Sequence, residues 1–204
     1  MKINKFTYIG QGGDAIDELT TSGTVKTYNV GTTLFGIAID ASDNIWVTDD
    51  VGSVTELQPS GAMNNYPVES APTGIAVDAS GNIWVANTSS GTISELNSSG
   101  TSLGIYSVGS DPEGIAIDAS GNVWVANSGS DFVTELHASG AINTYVVGKN
   151  PLGIAIDRSG NVWVTNSGSR SVTELAGITK GPQYFPCEHS KNPACPQFQG
   201  GGNF

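Results

Sequence analysis

One phrase returns through this chain every 38–40 residues, and that period constrains the fold more than any other feature. GIAIDASDNIWVTDD begins at Gly36, GIAVDASGNIWVANT at Gly74, GIAIDASGNVWVANS at Gly114 and GIAIDRSGNVWVTNS at Gly153. Other residues keep the same register. Tryptophan falls at Trp46, Trp84, Trp124 and Trp163. The glutamate of an E-L pair falls at Glu18, Glu56, Glu95, Glu135 and Glu174, and a tyrosine closes each unit at Tyr28, Tyr66, Tyr106, Tyr145 and Tyr184. Within a unit, GIAID, NVWVA, VTEL and INTYVV are short runs rich in branched and aromatic residues, as strands are. DASGN, SGSD and ASG divide them, with Asp, Ser and Gly supplying turn chemistry. No segment has apolar residues at helical spacing. Four antiparallel strands in about 40 residues make one blade of a β-propeller.

The repeats set the domain plan. Residues 1–186 are propeller, with a partial blade at 1–30 and blades at 31–70, 71–109, 110–148 and 149–186; residues 187–204 form a Cys/Gly-rich tail. Phe6–Ile9 (FTYI) align with the VWVA strand, so the first blade has its second, third and fourth strands and lacks the inner GIAID strand. Tyr184 and Phe185 fall where Tyr145 and Val146 fall, which lets the last blade be whole. Two readings follow: a truncated product of a longer, six-bladed ring, or a ring that closes with five blades. The start in mid-blade favours truncation. Open blade faces would then invite self-association.

Most of the phrase has a folding job. A tryptophan side chain covers about 150–250 Å² and is suited to filling the gap between blades. The recurring glutamate is expected to close a hydrogen bond inside each blade. Asp40, Asp78, Asp118 and Asp157 are expected to bond their own turns.

The unit P-x-G-I-A-I-D-x-S-G-N-V-W-V-A-N, followed by V-T-E-L and an S-G turn, resembles the NHL repeat. It is most similar to the bacterial repeats of the virginiamycin B lyase (streptogramin lyase) type, from residue 16 to about residue 186. The resemblance implies a β-propeller, and a family that includes lyases, other enzymes and binding proteins. It also implies, for the lyases, opening of a cyclic ester by elimination with a histidine base, supporting Glu and His residues and Mg²⁺. This chain departs from that pattern. It has two histidines. His137 occupies the turn position that holds Gln58, Asn97 and Ala176 in the other copies, and reads as a solvated turn residue. His189 lies in the tail. No histidine–carboxylate pair of useful spacing is evident. The expectation is a non-catalytic binding module for a protein, peptide or glycan, with no cofactor. The alternatives are a metal-dependent lyase, which would need Mg²⁺ or Ca²⁺, and a structural surface array.

Strand order puts the DASG and SG turns on one face and the SGSD-type loops with the inter-blade links on the other. The second set varies between copies, and rigid scaffolds carry specificity on such loops. Candidate binding residues are therefore Asp49, Asp50, Asn87, Asp111, Asn127, Asp131, Asn166 and Arg170. The Asx residues that end each second strand could form a polar collar or cation site, or could simply turn the chain.

Charge and cysteine content narrow the setting. A net charge of −11 with only 8 Lys and Arg provides no basic surface for nucleic acid or anionic membranes. No apolar run approaches membrane-spanning length, and MKINKFTYIGQGG has no signal-peptide pattern. The low charge and abundant Ser, Thr and Asn point to an extracytoplasmic setting. Seven residues separate Cys187 from Cys195, which fits either a small disulfide loop or two free thiols.

Overall fold

Five antiparallel sheets follow one another along the chain in a computed structural model that describes residues 6–9, 14–20 and 22–177. The first sheet has strands β1 (Phe6–Ile9), β2 (Ala15–Leu19) and β3 (Val25–Asn29). The second has β4 (Leu34–Ile39), β5 (Ile45–Asp49), β6 (Ser53–Leu57) and β7 (Met63–Pro67). The third has β8 (Pro72–Val77), β9 (Ile83–Asn87), β10 (Thr92–Leu96) and β11 (Ser102–Ser107). The fourth has β12 (Pro112–Ile117), β13 (Val123–Asn127), β14 (Phe132–Leu136) and β15 (Ile142–Val146). The fifth shows β16 (Pro151–Ile156), β17 (Val162–Asn166) and β18 (Ser171–Leu175). Strands pair in chain order within each sheet, as in a propeller blade. One 3₁₀ turn, Thr88–Ser90, interrupts the β structure. β1 pairs with β2 in the register that β13 keeps with β14, so the first sheet holds the second to fourth strands of a blade. The expected closing strand at Tyr184 and Phe185, and both cysteines, lie outside the described residues.

Inside a blade the repeated residues form one bonded set. In the fourth blade the Asp118 Oδ1 accepts the N–H groups of Ser120 and Asn122 at 2.8 and 2.9 Å. Its Oδ2 accepts the Asn122 amide at 2.9 Å and the Trp124 indole N–H at 3.1 Å. Asp40, Asp78 and Asp157 repeat this pattern with Trp46, Trp84 and Trp163. Three of the tryptophan rings lie near their closing tyrosine, with centroids 5.7, 5.7 and 5.5 Å apart for Trp46–Tyr66, Trp84–Tyr106 and Trp124–Tyr145. The tyrosine hydroxyl then donates to the repeated glutamate, at 2.9 Å for Tyr28–Glu18 and 2.8 Å for Tyr145–Glu135. Burial and this bond to Glu135 push the Tyr145 hydroxyl far above the usual phenol range. Burial works against the Asp40 charge, but the Trp46, Asn44 and Ser42 bonds together outweigh it and hold the carboxyl below its ordinary value.

The core is laid down between blades. Trp46 and Val54 of the second blade pack on Ile83, Val85 and Leu96 of the third. Trp124 and Val133 of the fourth pack on Val162, Val164 and Leu175 of the fifth. The tryptophan thus fills the gap between blades, as expected. Strands β4, β8, β12 and β16 neighbour one another, so GIAI is the inner strand, while the fourth strands form exposed outer edges. The inner glycine is dictated by that crowding. A Cβ on Gly74 would stand 2.1 Å from the Glu113 carbonyl oxygen, and one on Gly114 would stand 2.2 Å from that of Leu152.

Candidate functional site

The loop-and-link face is a rigid rim. The residue that precedes each inner strand takes left-handed φ although it is not glycine: 52° at Thr33, 52° at Ala71, 49° at Asp111 and 52° at Asn150. Non-glycine residues rarely do this without support, and the support recurs. The carbonyls of these four residues accept the N–H groups of Asp50, Thr88, Ser128 and Ser167 at 2.9–3.2 Å. Serines add a second clip: Ser90, Ser130 and Ser169 accept the N–H groups of Ser70, Ser110 and Lys149.

The structure divides the sequence-predicted residues into two groups. Asp49, Asn87, Asn127 and Asn166 are buried, and their side chains bond within their own blades, with Asn127 also reaching the link from the blade before it. Asp49 Oδ1 accepts the N–H groups of Val51 and Ser53. Asn127 accepts the Gly109 N–H at 3.0 Å and donates to Thr134 at 2.9 Å. Asn87 and Asn166 donate to Ser94 and Thr173, each at 2.9 Å. Asp50, Asp111 and Arg170 are exposed on the rim, and Asp131 is half-buried there, accepting the Asn150 N–H at 2.8 Å. Arg170 and Asn166 line a shallow recess of about 260 Å³ with Thr165, Ser167, Ser171 and Val172. Among the described residues no three of His, Cys, Asp and Glu converge, so Asp49, Asp50, Asp111 and Asp131 make no multidentate cation site. That donor set does not fit a resident Mg²⁺ or Ca²⁺.

A third group was missed. Every inner strand breaks its pairing register at the same place: between Leu34 and Ile37, Pro72 and Ile75, Pro112 and Ile115, and Pro151 and Ile154. The irregular stretch holds the residue before the inner glycine: Thr73, Glu113 and Leu152 as the x of P-x-G, and Phe35 in the first inner strand, where Leu34 replaces the proline. Such irregularities re-aim side chains and are common beside functional sites. Phe35 is 49% and Leu152 39% exposed at the inner edge of the rim. Glu113 is half-buried, and burial, with the Asp111 charge adding, pushes its carboxyl above the ordinary range. The signal was present in the sequence: x varies inside a phrase that is otherwise nearly invariant.

His137 needs correction. It sits in the expected turn and is partly exposed, but it does have a carboxylate partner. Its Nε2 lies 3.2 Å from Oε2 of the buried Glu135 and 2.8 Å from the Asn143 amide nitrogen. A spacing of two residues brings them together because His137 follows β14 at the point where the strand turns. The pair sits on the turn face, opposite the rim.

Comparison with known proteins matches this fold. No curated protein matches the sequence at a significant level. A solved streptogramin B lyase superposes with a TM-score of 0.77 at 20% identity, covering 83% of this chain and 60% of that one. A catalytically inactive virginiamycin B lyase from Staphylococcus aureus, solved with quinupristin, gives 0.75 at 18% identity, covering 80% and 60%. A protein of unknown function from Bacteroides caccae gives 0.64 at 17%, covering 89% and 76%. These identities establish a shared fold, and the chain spans about three fifths of the two lyases. The model of the virginiamycin B lyase family matches residues 5–178, and the chain belongs to that family.

Proposed function

We propose that this protein is a non-catalytic binding module that takes a protein, peptide or glycan ligand at the inner edge of its loop-and-link face. The observation that carries the reading is the recurrent irregularity in the inner strand. It presents Phe35, Thr73, Glu113 and Leu152, four different side chains, on a backbone that is otherwise the same in every blade. Phe35 and Leu152 offer apolar contact and Glu113 offers hydrogen bonding, while the Thr73 hydroxyl is held by Thr88 and the Pro112 carbonyl; Asp50, Asp111 and Asp131 add negative charge around them. The low-charge composition supports an extracytoplasmic location. The test is a glycan and peptide array probed with the protein and with a Phe35→Ala/Glu113→Gln variant. A ligand retained by the first and lost by the second supports the reading. Equal profiles remove the inner edge as the site.

Family membership supports a second reading, a metal-dependent lyase acting on a streptogramin. Incubation with quinupristin and Mg²⁺, followed by mass spectrometry, separates the two. The binding reading predicts unchanged quinupristin. A ring-opened product that needs Mg²⁺ would replace it with the lyase reading.

A further inference from the structure

The junctions between blades are alike except for one. At three of them a tryptophan packs between the closing tyrosine of its own blade and a branched residue and a leucine of the next. Trp46 sits with Tyr66, Ile83 and Leu96, Trp84 with Tyr106, Val123 and Leu136, and Trp124 with Tyr145, Val162 and Leu175. The junction between the first and second blades has the same walls, in Tyr28, Ile45 and Leu57. It has no tryptophan, because the first in the chain is Trp46, which packs toward the third blade. The pairing of β1 with β2 puts Thr7 opposite Glu18, where Trp124 stands opposite Glu135. At this junction the turn face carries a recess of about 340 Å³, lined by Tyr28, Ile45 and Leu57 together with Glu18, Lys26 and Asp43.

We propose that this recess is a binding site for a planar aromatic ring of indole size, entered from the turn face. The occupant follows from the other junctions, where a tyrosine, a branched residue and a leucine in these same positions already hold an indole three times. Tyr28 offers an offset ring contact, and Ile45 and Leu57 offer apolar walls. Cavities lined in this way take up aromatic ligands, and the volume falls in the range of about 300–1,000 Å³ that small-molecule sites occupy. The polar lining is particular to this junction. Lys26 stands opposite Glu18, where Asn64, Gly104 and Asn143 stand opposite Glu56, Glu95 and Glu135. Asp43 holds φ of 63° where the other turns have glycine. Lys26 and Asp43 are both exposed, so the recess opens between charges of opposite sign that can meet a polar substituent on the ring. The site lies on the face opposite the rim and is independent of ligand binding there.

The test uses the 204-residue chain with indole as the probe, read by methyl NMR and thermal unfolding. Indole is expected to shift the Ile45 and Leu57 methyl signals, to give NOEs to them, and to raise the unfolding temperature as its concentration rises. Thr7→Trp, checked for folding by circular dichroism, is expected to unfold at a higher temperature without ligand and to lose the indole response, because the chain then supplies the ring. Free tryptophan and N-acetyl-tryptophanamide distinguish the source of the ring. Tighter binding of the free amino acid, weakened by Asp43→Gly, supports a small molecule whose charges meet Lys26 and Asp43. Tighter binding of the amide supports an aromatic side chain carried on a peptide. Indole that leaves the Ile45 and Leu57 methyls unmoved overturns the proposal, whether or not Thr7→Trp folds. So does a folded Thr7→Trp variant that binds indole as the wild type does.

Discussion

Asp118 shows how much of each blade rests on one side chain. Its carboxylate holds two turn N–H groups, an amide and the indole of a buried tryptophan. Asp118→Ala strands the indole N–H in the core, and an unsatisfied buried donor costs about 1–3 kcal/mol. The same change at Asp157 should cost less, because Trp163 is partly exposed and water can replace the lost partner. Denaturant unfolding of the two variants checks the order. Asp43 gives a prediction of opposite sign. It takes φ of 63° where Gly81, Gly121 and Gly160 take 81–84°. Asp43→Gly relieves left-handed strain and should stabilise by about 1 kcal/mol. The turn carboxylates also set the acid limb of stability. Asp40 and Asp157 titrate below their ordinary value in the fold, so they contribute stability above the unfolded value of 3.8, and it is lost as pH falls through the lower folded values. Stability measured between neutral pH and pH 3 should fall below about pH 4, and Asp157→Asn should flatten that fall. The roles of Asp, Trp, Glu and Tyr were legible because each recurs in every copy. The bond from the indole to the aspartate was not, since it crosses a turn whose geometry the sequence does not state.

At the scale of strands, the four short runs and their turns were legible from composition alone. Their packing was not. The glycine that opens each GIAI strand has no role readable from strand composition; its reason is contact with the next blade. Gly74→Ala drives a Cβ against the Glu113 carbonyl and should destabilise by about 3 kcal/mol, the upper part of the overpacking range. Gly153→Ala meets only the Thr165 hydroxyl, 3.0 Å away, and should cost much less. Thermal unfolding of the pair separates contact between blades from loss of backbone freedom, which the two share. The candidate site suffered from the same limit. Asp49, Asn87, Asn127 and Asn166 end each second strand and read either as a collar or as turn residues; Asp49 binds the N–H groups of its own turn, and the asparagine amides reach the third strand of their blade. Phe35 and Glu113 were passed over because the P-x-G-I-A phrase was treated as a unit, and the register break that frees x is invisible in one dimension. Glu113→Gln should raise stability slightly at neutral pH. A carboxyl whose folded value is raised contributes stability below the unfolded value and loses it as pH rises through the folded one. The gain should vanish at low pH, where both side chains are neutral.

Across the whole molecule, the period of 38–40 residues was enough to name the architecture, because a copy needs a neighbour to bury its apolar face, which in four of the five copies carries a tryptophan. The same fact explains why the ends were harder to read. A repeat specifies the junction it makes with the next copy and carries no count of copies. On the proposed function, folding and binding use different residues of one phrase: Gly, Asp, Trp, Tyr and Glu build the blade, and the residue just before the inner glycine meets the ligand. The most direct measurement is a triple variant, Phe35→Ala/Glu113→Gln/Leu152→Ala, compared with the parent for unfolding free energy and for binding to whatever the array identifies. The account predicts a stability change within about 1 kcal/mol together with loss of binding. Collapse of stability, or binding that survives intact, would contradict it.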